Sequence, residues 1–274
     1  MRRIPVSANN RTVSFSLAEK CGFLAIFSAA LLFFISPYFA VIPLLLFLLL
    51  CTTAPFLPTL SFFLPLISKA KKCENGIAIT FDDGPDPVST PIILKLLARY
   101  NLQATFFVVG IRAARYPELI KEILRQGHTI GNHSWDHDYF LMLRSIKRLQ
   151  EDIHKTQNAL IQSGIQPRLF RPPVGITGSR LGKVLEKENL IAVTYSCRAL
   201  DRGNRNIDDL AAKILGKLQP GDIIMLHDLP LATKEQAVRW QKELDSLFAT
   251  LEKQYTITSL AKLIGEPTMI PVDH

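Results

Sequence analysis

Thr80-Phe81-Asp82-Asp83-Gly84-Pro85 sets two carboxylates side by side where a short apolar strand, Ile77 to Phe81, runs into a turn. Side chains alternate faces along a regular strand, so adjacent acids reach a common site only if the backbone bends between or after them. Gly84-Pro85 supplies that bend. One acid is then free to bind a metal while the other moves protons. Alone the hexapeptide is moderately specific; its meaning depends on metal ligands and a proton donor further along the chain.

Beyond this strand, apolar runs and amphipathic periods alternate. Pro91 to Tyr100, with Ile92, Ile93, Leu96 and Leu97 on one face, predicts a helix. Ala104 to Val109 predicts a second strand, Pro117 to Gln126 a helix that opens on proline and stops at Gly127, and His128 to Gly131 a third strand. Met142, Ile146, Leu149, Ile153 and Leu160 hold a helical period up to Gly164. Strands are expected at Leu169–Arg171, Leu190–Tyr195 and Asp222–Leu226, with a short one at Tyr255–Ile257. Helices are expected at Ser179–Glu188, Ile207–Leu218 and Lys234–Gln254. Strand and helix in turn mean a parallel β/α architecture, either a barrel or an open sheet. In such barrels chemistry collects at the carboxyl ends of strands. Asp82 and Asp83, His133, Arg171, Asp201 and His227 all fall at or just beyond such ends.

His133-Ser134-Trp135-Asp136-His137 spaces two imidazoles four residues apart, which on a helical turn puts both on one face. Two histidines and one carboxylate, with a position left for water, make a catalytic zinc-type set. Asp83 is the natural carboxylate. A bare histidine pair at this spacing describes two surface residues equally well; the acidic strand end upstream shifts the balance to a metal. Arg171-Pro172-Pro173-Val174-Gly175 follows a strand, and Arg171 suits a bidentate pair that keeps a carboxylate ionised. Its alternative is a surface arginine beside a rigid turn. His227 ends an apolar strand entered through Pro220-Gly221 and is placed to give a proton to a leaving group. Asp228 reads as a turn or helix-cap residue, and His128, His154 and His274 as structural or solvent-exposed.

TFDDGP at 80–85, HSWDH at 133–137, RPPVG at 171–175, Leu200-Asp201 and Leu226-His227-Asp228 stand in a familiar order. Residues 74–274 resemble the polysaccharide deacetylase family of the NodB-homology type, carbohydrate esterase family 4. The resemblance implies a distorted (β/α) barrel and a divalent metal, usually Zn2+. It implies Asp83, His133 and His137 as metal ligands, Asp82 as general base, Arg171 as the residue that orients Asp82, His227 as general acid and Asp201 as its partner. Pro173, Val174 and Leu226 fall at substrate-contacting positions, with the backbone N–H near Val174 helping to hold the oxyanion. Two positions depart from the family pattern. Val174 stands where an aromatic residue is common, and Arg202 where tryptophan often follows the aspartate. Both alter the walls of the sugar groove, and neither removes a ligand or a proton-transfer group.

The amino-terminal third has a different composition. No charged residue occurs from Cys21 to Ser68. That run is too long for a secretory apolar region of ~7–15 residues and about twice what one membrane span needs. Prolines at 37, 43, 55, 58 and 65 interrupt it. Two spans are expected, near 21–41 and 43–67; one span with a re-entrant or interfacial segment is the alternative. A basic tail at 1–20, a membrane region at 21–68 and a catalytic domain at 74–274 complete the division. The net charge of +8 is unevenly placed: residues 1–74 hold seven Lys/Arg against two acids, and the rest 25 against 22. A basic excess flanking an apolar stretch marks a membrane anchor with cationic flanks; with no nucleic-acid-binding signature, nucleic acid is excluded as a partner. Cationic flanks at both ends suit a hairpin with both ends on one side, although charge alone leaves the side open. The four cysteines lack CxxC spacing, which excludes a cysteine metal site.

The function expected is removal of an N-acetyl group from an N-acetylhexosamine unit in a glycan or a lipid-linked saccharide. The same residues would serve an O-acetyl ester or a formamide. A membrane-tethered sugar-binding protein without catalysis would have lost a base, an acid or a ligand, and none is lost here.

Overall fold

The computed structural model describes residues 15–70 and 76–272. Most of the basic tail, the 71–74 junction with Cys73, and His274 lie outside the described residues.

Two apolar helices come first. α1 (Leu17–Phe33) opens on Ser16, whose hydroxyl accepts from the Glu19 N–H while the Glu19 carboxylate accepts from the Ser16 N–H. This reciprocal cap satisfies two of the helix's orphan donors. α2 (Pro37–Thr53) opens on Pro37, where the missing N–H had no intrahelical partner to lose. The buried residues of α1 are Ala18, Gly22, Ala25 and Ala29, with Gly22 against the Phe47 ring. Small side chains of this kind let two helices approach closely. Apart from Glu19 and Lys20 in the first turn of α1, most of the remaining surface of both helices is exposed and apolar. Pro37–Phe56 is long and apolar enough to cross a membrane, by length and composition. Both helices are shorter than the spans expected from sequence. The turn lies at Phe34–Ser36, Pro43 sits inside α2, and the helical run stops at Phe56.

The strands are β1 (Ala78–Asp82), β2 (Ala104–Val108), β3 (Thr129–Asn132), β4 (Ile165–Pro167), β5 (Leu169–Phe170), β6 (Ile191–Ala192), β7 (Cys197–Arg198), β8 (Ile223–His227) and β9 (Met269–Pro271). Between them run α3 (Ser89–Arg99), α4 (Gly110–Arg115), α5 (Pro117–Arg125), α6 (Ile146–Ile161), α7 (Leu181–Lys187), α8 (Leu210–Leu215), α9 (Lys234–Gln254) and α10 (Leu260–Ile264). Seven strands form one parallel sheet in the order β6-β5-β3-β2-β1-β8-β7, and β4 with β9 forms a separate antiparallel pair. The sheet is buried on both faces. Ile79 and Phe81 face the outer helices with Trp240, Leu244 and Phe248 of α9. Ala78 joins Phe107, Val193, Tyr195, Ile223 and Met225 in a second cluster on the other face. Burial on both faces is the rule for parallel sheets.

β6 and β7 end the sheet and do not pair with each other. The chain leaving the hairpin crosses this seam. Ile67 donates its N–H to the Ala192 carbonyl and accepts from Thr194, while Ala70 donates to Gly221 and Lys69 bridges to Asp222 ahead of β8. The open edge of the sheet is therefore crossed by Ile67, which the sequence places in the membrane region, and by Lys69 and Ala70, which fall between the two expected units. Phe62 and Leu64 are buried at 2% and 5% exposure, so the uncharged run continues past Phe56 because protein, instead of lipid, covers it. Hydropathy alone does not separate the two solvents. Tyr255–Ile257 contributes only a single bridge, Ile257 to Ile77.

Candidate active site

Alternation along two neighbouring strands builds the site. On β1, Thr80 and Asp82 share the face opposite Ile79 and Phe81; on β8, His227 takes the face opposite Leu226. Register does the rest, because Asp82 is the direct partner of His227 across the β1–β8 pair. Leu226 consequently lies in the core at 1% exposure and presents no side chain to a groove, contrary to the expectation from sequence. Pro173 is buried as well, whereas Val174 is exposed at the rim in a left-handed conformation, φ 52°.

Arg171 follows β5 and is fully buried. Its Nη1 donates to Asp82 Oδ1 at 2.6 Å and to the Thr80 hydroxyl at 2.7 Å. Nη2 and Nε donate to the carbonyls of Thr194 and Val193, and the guanidinium lies 4.0 Å above the Phe107 ring. The Asp82 contact is one-point, not the bidentate pair expected, because the rest of the fork is committed to backbone. A buried charge needs such complete pairing.

Asp83 leaves β1 with φ 76°, which turns its carboxylate back toward the site. Its Oδ1 stands 3.3 Å from His133 Nε2 and 3.0 Å from His137 Nε2. The histidines do not share a helical face. Residues 133–137 form a loop in which Ser134 and His137 adopt left-handed backbone, φ 70° and 57°. Neighbouring polar groups hold that loop. Asn132 accepts from Ser134 N–H, Asp152 of α6 accepts from Trp135 N–H at 2.8 Å, and Gly110 and Ile111 of α4 donate to the carbonyls of Ser134 and Trp135. The Arg171 carbonyl lies 2.8 Å from His133 Nδ1. Only a protonated Nδ1 can donate to it, which leaves the Nε2 lone pair facing Asp83.

This arrangement decides whether a cation fits. The three ligand atoms lie within 4.8 Å of one another, and Asp83 Oδ1 is buried without a hydrogen-bond donor. Acceptors converging on one point repel unless a proton or a cation lies between them. The nitrogen and oxygen donors, with a second shell that fixes the tautomer, suit a divalent metal of zinc type. Burial pushes the Asp83 carboxyl up, but the two imidazoles facing it outweigh burial and hold the group well below the usual carboxylate range. Burial likewise lowers His137, and its contact with Asp83 and the charges of Asp83 and Asp82 turn the net shift upward.

His227 Nδ1 lies 2.8 Å from Asp201 Oδ2. Burial would lower its pKa; the hydrogen bond and charge of Asp201, with the charges of Asp83 and Asp82, raise it to about 9. Asp201 sits in a tight loop beyond β7 where Leu200, Arg202 and Asn204 all have positive φ.

Some contributors carried no signal in the sequence. Thr80 could have been found two residues before Asp82 by alternation; Asp152, distant in the chain, could not. Asp228, expected as a turn or helix-cap residue, is tied to the start of a helix. Buried, it accepts from the hydroxyls of Ser89 and Thr90 at 2.6 Å each, so it fastens the start of α3 beneath the site. Burial pushes its carboxyl up to about 7, against the pull of those two hydroxyls. It also explains Gly84, since a Cβ there would collide with the Asp228 carboxylate.

Residues 69–193 match the family model described as polysaccharide deacetylase. The peptidoglycan-N-acetylglucosamine deacetylase of Listeria monocytogenes is 35% identical over 208 residues, which are 75% of this chain and 42% of that protein. The chain therefore spans less than half the length of that relative. A chitooligosaccharide deacetylase of Azorhizobium caulinodans is 36% identical over 57% of this chain and 74% of its own. Among solved structures, the peptidoglycan deacetylase PdaC from Bacillus subtilis superposes with a TM-score of 0.61 at 29% identity, covering 70% of this chain and 91% of that one.

Proposed function

The chain belongs to the polysaccharide deacetylase family, and from that premise we propose that it is a membrane-anchored, divalent-metal-dependent hydrolase. In this reading it removes the N-acetyl group of an N-acetylhexosamine in a glycan or lipid-linked saccharide, releasing acetate. The catalytic domain is residues 74–274, completed by the chain that closes its seam, and the location is the inner membrane of a bacterial-type cell. One observation carries the reading: Asp82, paired with Arg171, stands in register beside His227, paired with Asp201, and Asp83 with His133 and His137 lies next to both.

Asp83, His133 and His137 are the proposed metal ligands. Held by these three residues, a divalent cation, Zn2+ in the first instance, would supply Lewis acidity toward the acetamide carbonyl and toward a water. Asp82 takes a proton from the attacking water while Arg171 holds its carboxylate charged and in place. The carbon–oxygen bond forms and charge develops on the carbonyl oxygen, where the backbone N–H at Val174 is the proposed donor. His227, held as an imidazolium by Asp201, gives its proton to the departing nitrogen as the carbon–nitrogen bond breaks. Acetate and a free amino sugar result, with Asp82 protonated and His227 neutral until the two are reset.

The test is acetate release from N-acetylated chitooligomers by Asp82→Asn and His227→Ala. Each should fall roughly 10²–10⁴-fold while equilibrium dialysis shows zinc still bound. Near-normal turnover in either variant would remove these role assignments.

A further inference from the structure

Two loops frame the site, residues 138–145 beyond His137 and 172–178 beyond Arg171. Both stand against the chain that leaves the hairpin. Thr177 N–H donates to the Pro55 carbonyl at 3.2 Å, and a Cβ on Gly175 would lie 3.7 Å from Pro58 Cβ. The Thr194 hydroxyl donates to the Pro58 carbonyl at 2.5 Å. Leu141 and Met142 share a buried cluster with Leu64, against which Phe63 and Leu66 pack. Arg180 reaches the Met142 carbonyl at 3.1 Å and ties the two loops together. The start of α1 returns to the same place, where Ala18 N–H donates to the Phe62 carbonyl at 2.9 Å. The foot of the hairpin and the rim of the site are thus one packed unit.

The surface this unit leaves uncovered is apolar. Phe140 and Leu143 are 63% and 74% exposed, Tyr139 and Val174 are exposed beside the metal ligands and Arg171, and Phe56 and Leu57 are exposed at the hairpin's foot. Exposed apolar surface on this scale marks an interaction site. Continuity with two lipid-type helices names its occupant. Lys20, exposed in the first turn of α1 at the foot of the hairpin, matches the anionic headgroups such an occupant presents.

We propose that the apolar rim around residues 139–143 and Val174 rests on the bilayer surface, so that the substrate is a saccharide carried by a lipid. This rests on the deacetylase reading above and narrows its substrate. A soluble oligomer or a cell-wall polymer requires a mouth that faces water.

The experiment uses the full chain, loaded with zinc, in vesicles of phosphatidylethanolamine and phosphatidylglycerol. One arm offers N-acetylglucosamine joined through a diphosphate to a polyprenyl chain; the others offer chitotetraose and insoluble peptidoglycan. The lipid-linked sugar should give a kcat/KM at least tenfold above chitotetraose. The Phe140→Ser/Leu143→Ser variant should lose that advantage at least tenfold while chitotetraose turnover stays within twofold. Faster turnover of chitotetraose or peptidoglycan by the unaltered chain overturns the proposal, as does an equal loss on both arms in the variant. Acetate release on no arm removes the deacetylase reading instead. In that event a second measurement decides the membrane contact: the fluorescence added by Phe140→Trp should be quenched by bromine-labelled lipid near the headgroups. Unquenched added emission overturns the proposal.

Discussion

His227 sits under opposed demands that its neighbours resolve. Burial alone would leave the imidazole neutral, and the Asp201 carboxylate at 2.8 Å, with Asp82 and Asp83 nearby, raises its pKa to about 9. A general acid must enter the cycle protonated, so the alkaline limb of kcat/KM should lie above the ordinary histidine value, between about 6.5 and the value of about 9 that holds before a cation offsets the charge of Asp83. Asp201→Asn removes the first upward influence, and the limb should move down toward the ordinary histidine value of about 6.5. A pH profile of acetate release checks this, and an unmoved limb would count against the pairing. Stability follows the same sign. The folded-state pKa is raised, so the pair's contribution is fully present below about pH 6.5 and is lost as the pH rises through about 9.

At the scale of single elements, the loop from His133 to His137 depends on what surrounds it. Its two left-handed residues hold because Asn132, Asp152 and α4 take up its backbone groups. Asp152→Ala leaves the Trp135 N–H without its acceptor, and zinc affinity should fall roughly 10–100-fold, measured by competition with a chelator, while the melting transition stays cooperative. This loop also marks where reading the sequence stopped short. The three residues that converge, Asp83, His133 and His137, were legible, but spacing suggested a helical face where the chain forms a loop. A strand's alternation is local, and it correctly placed Asp82 and should have placed Thr80 and Leu226. The convergence of His137 on Asp83 depends on α4 and α6, which no local pattern reports. β7, with two residues, was too short to leave a period, although it carries the chain to Asp201.

In the whole molecule, the boundary drawn from composition at residue 74 cuts through the barrel. The segment that closes the seam brings Leu64 and, in part, Ile67 against it. Full burial of Leu64 and partial burial of Ile67 is worth about 3 kcal/mol. A chain beginning at residue 57 should therefore melt about 6 °C or more above one beginning at residue 74, by calorimetry at equal concentration; equal melting temperatures would show the segment to be dispensable. Sequence missed this role because an uncharged run looks the same whether lipid or a sheet edge covers it. The stitching has a kinetic consequence. Under the proposal of a lipid-carried substrate, a site whose rim is fixed to the foot of the hairpin would meet that substrate by a search confined to a plane. Turnover would then be governed by the number of substrate molecules per unit area of membrane. Adding buffer to the vesicles would leave the rate per protein unchanged, whereas fusing them with substrate-free lipid would slow it.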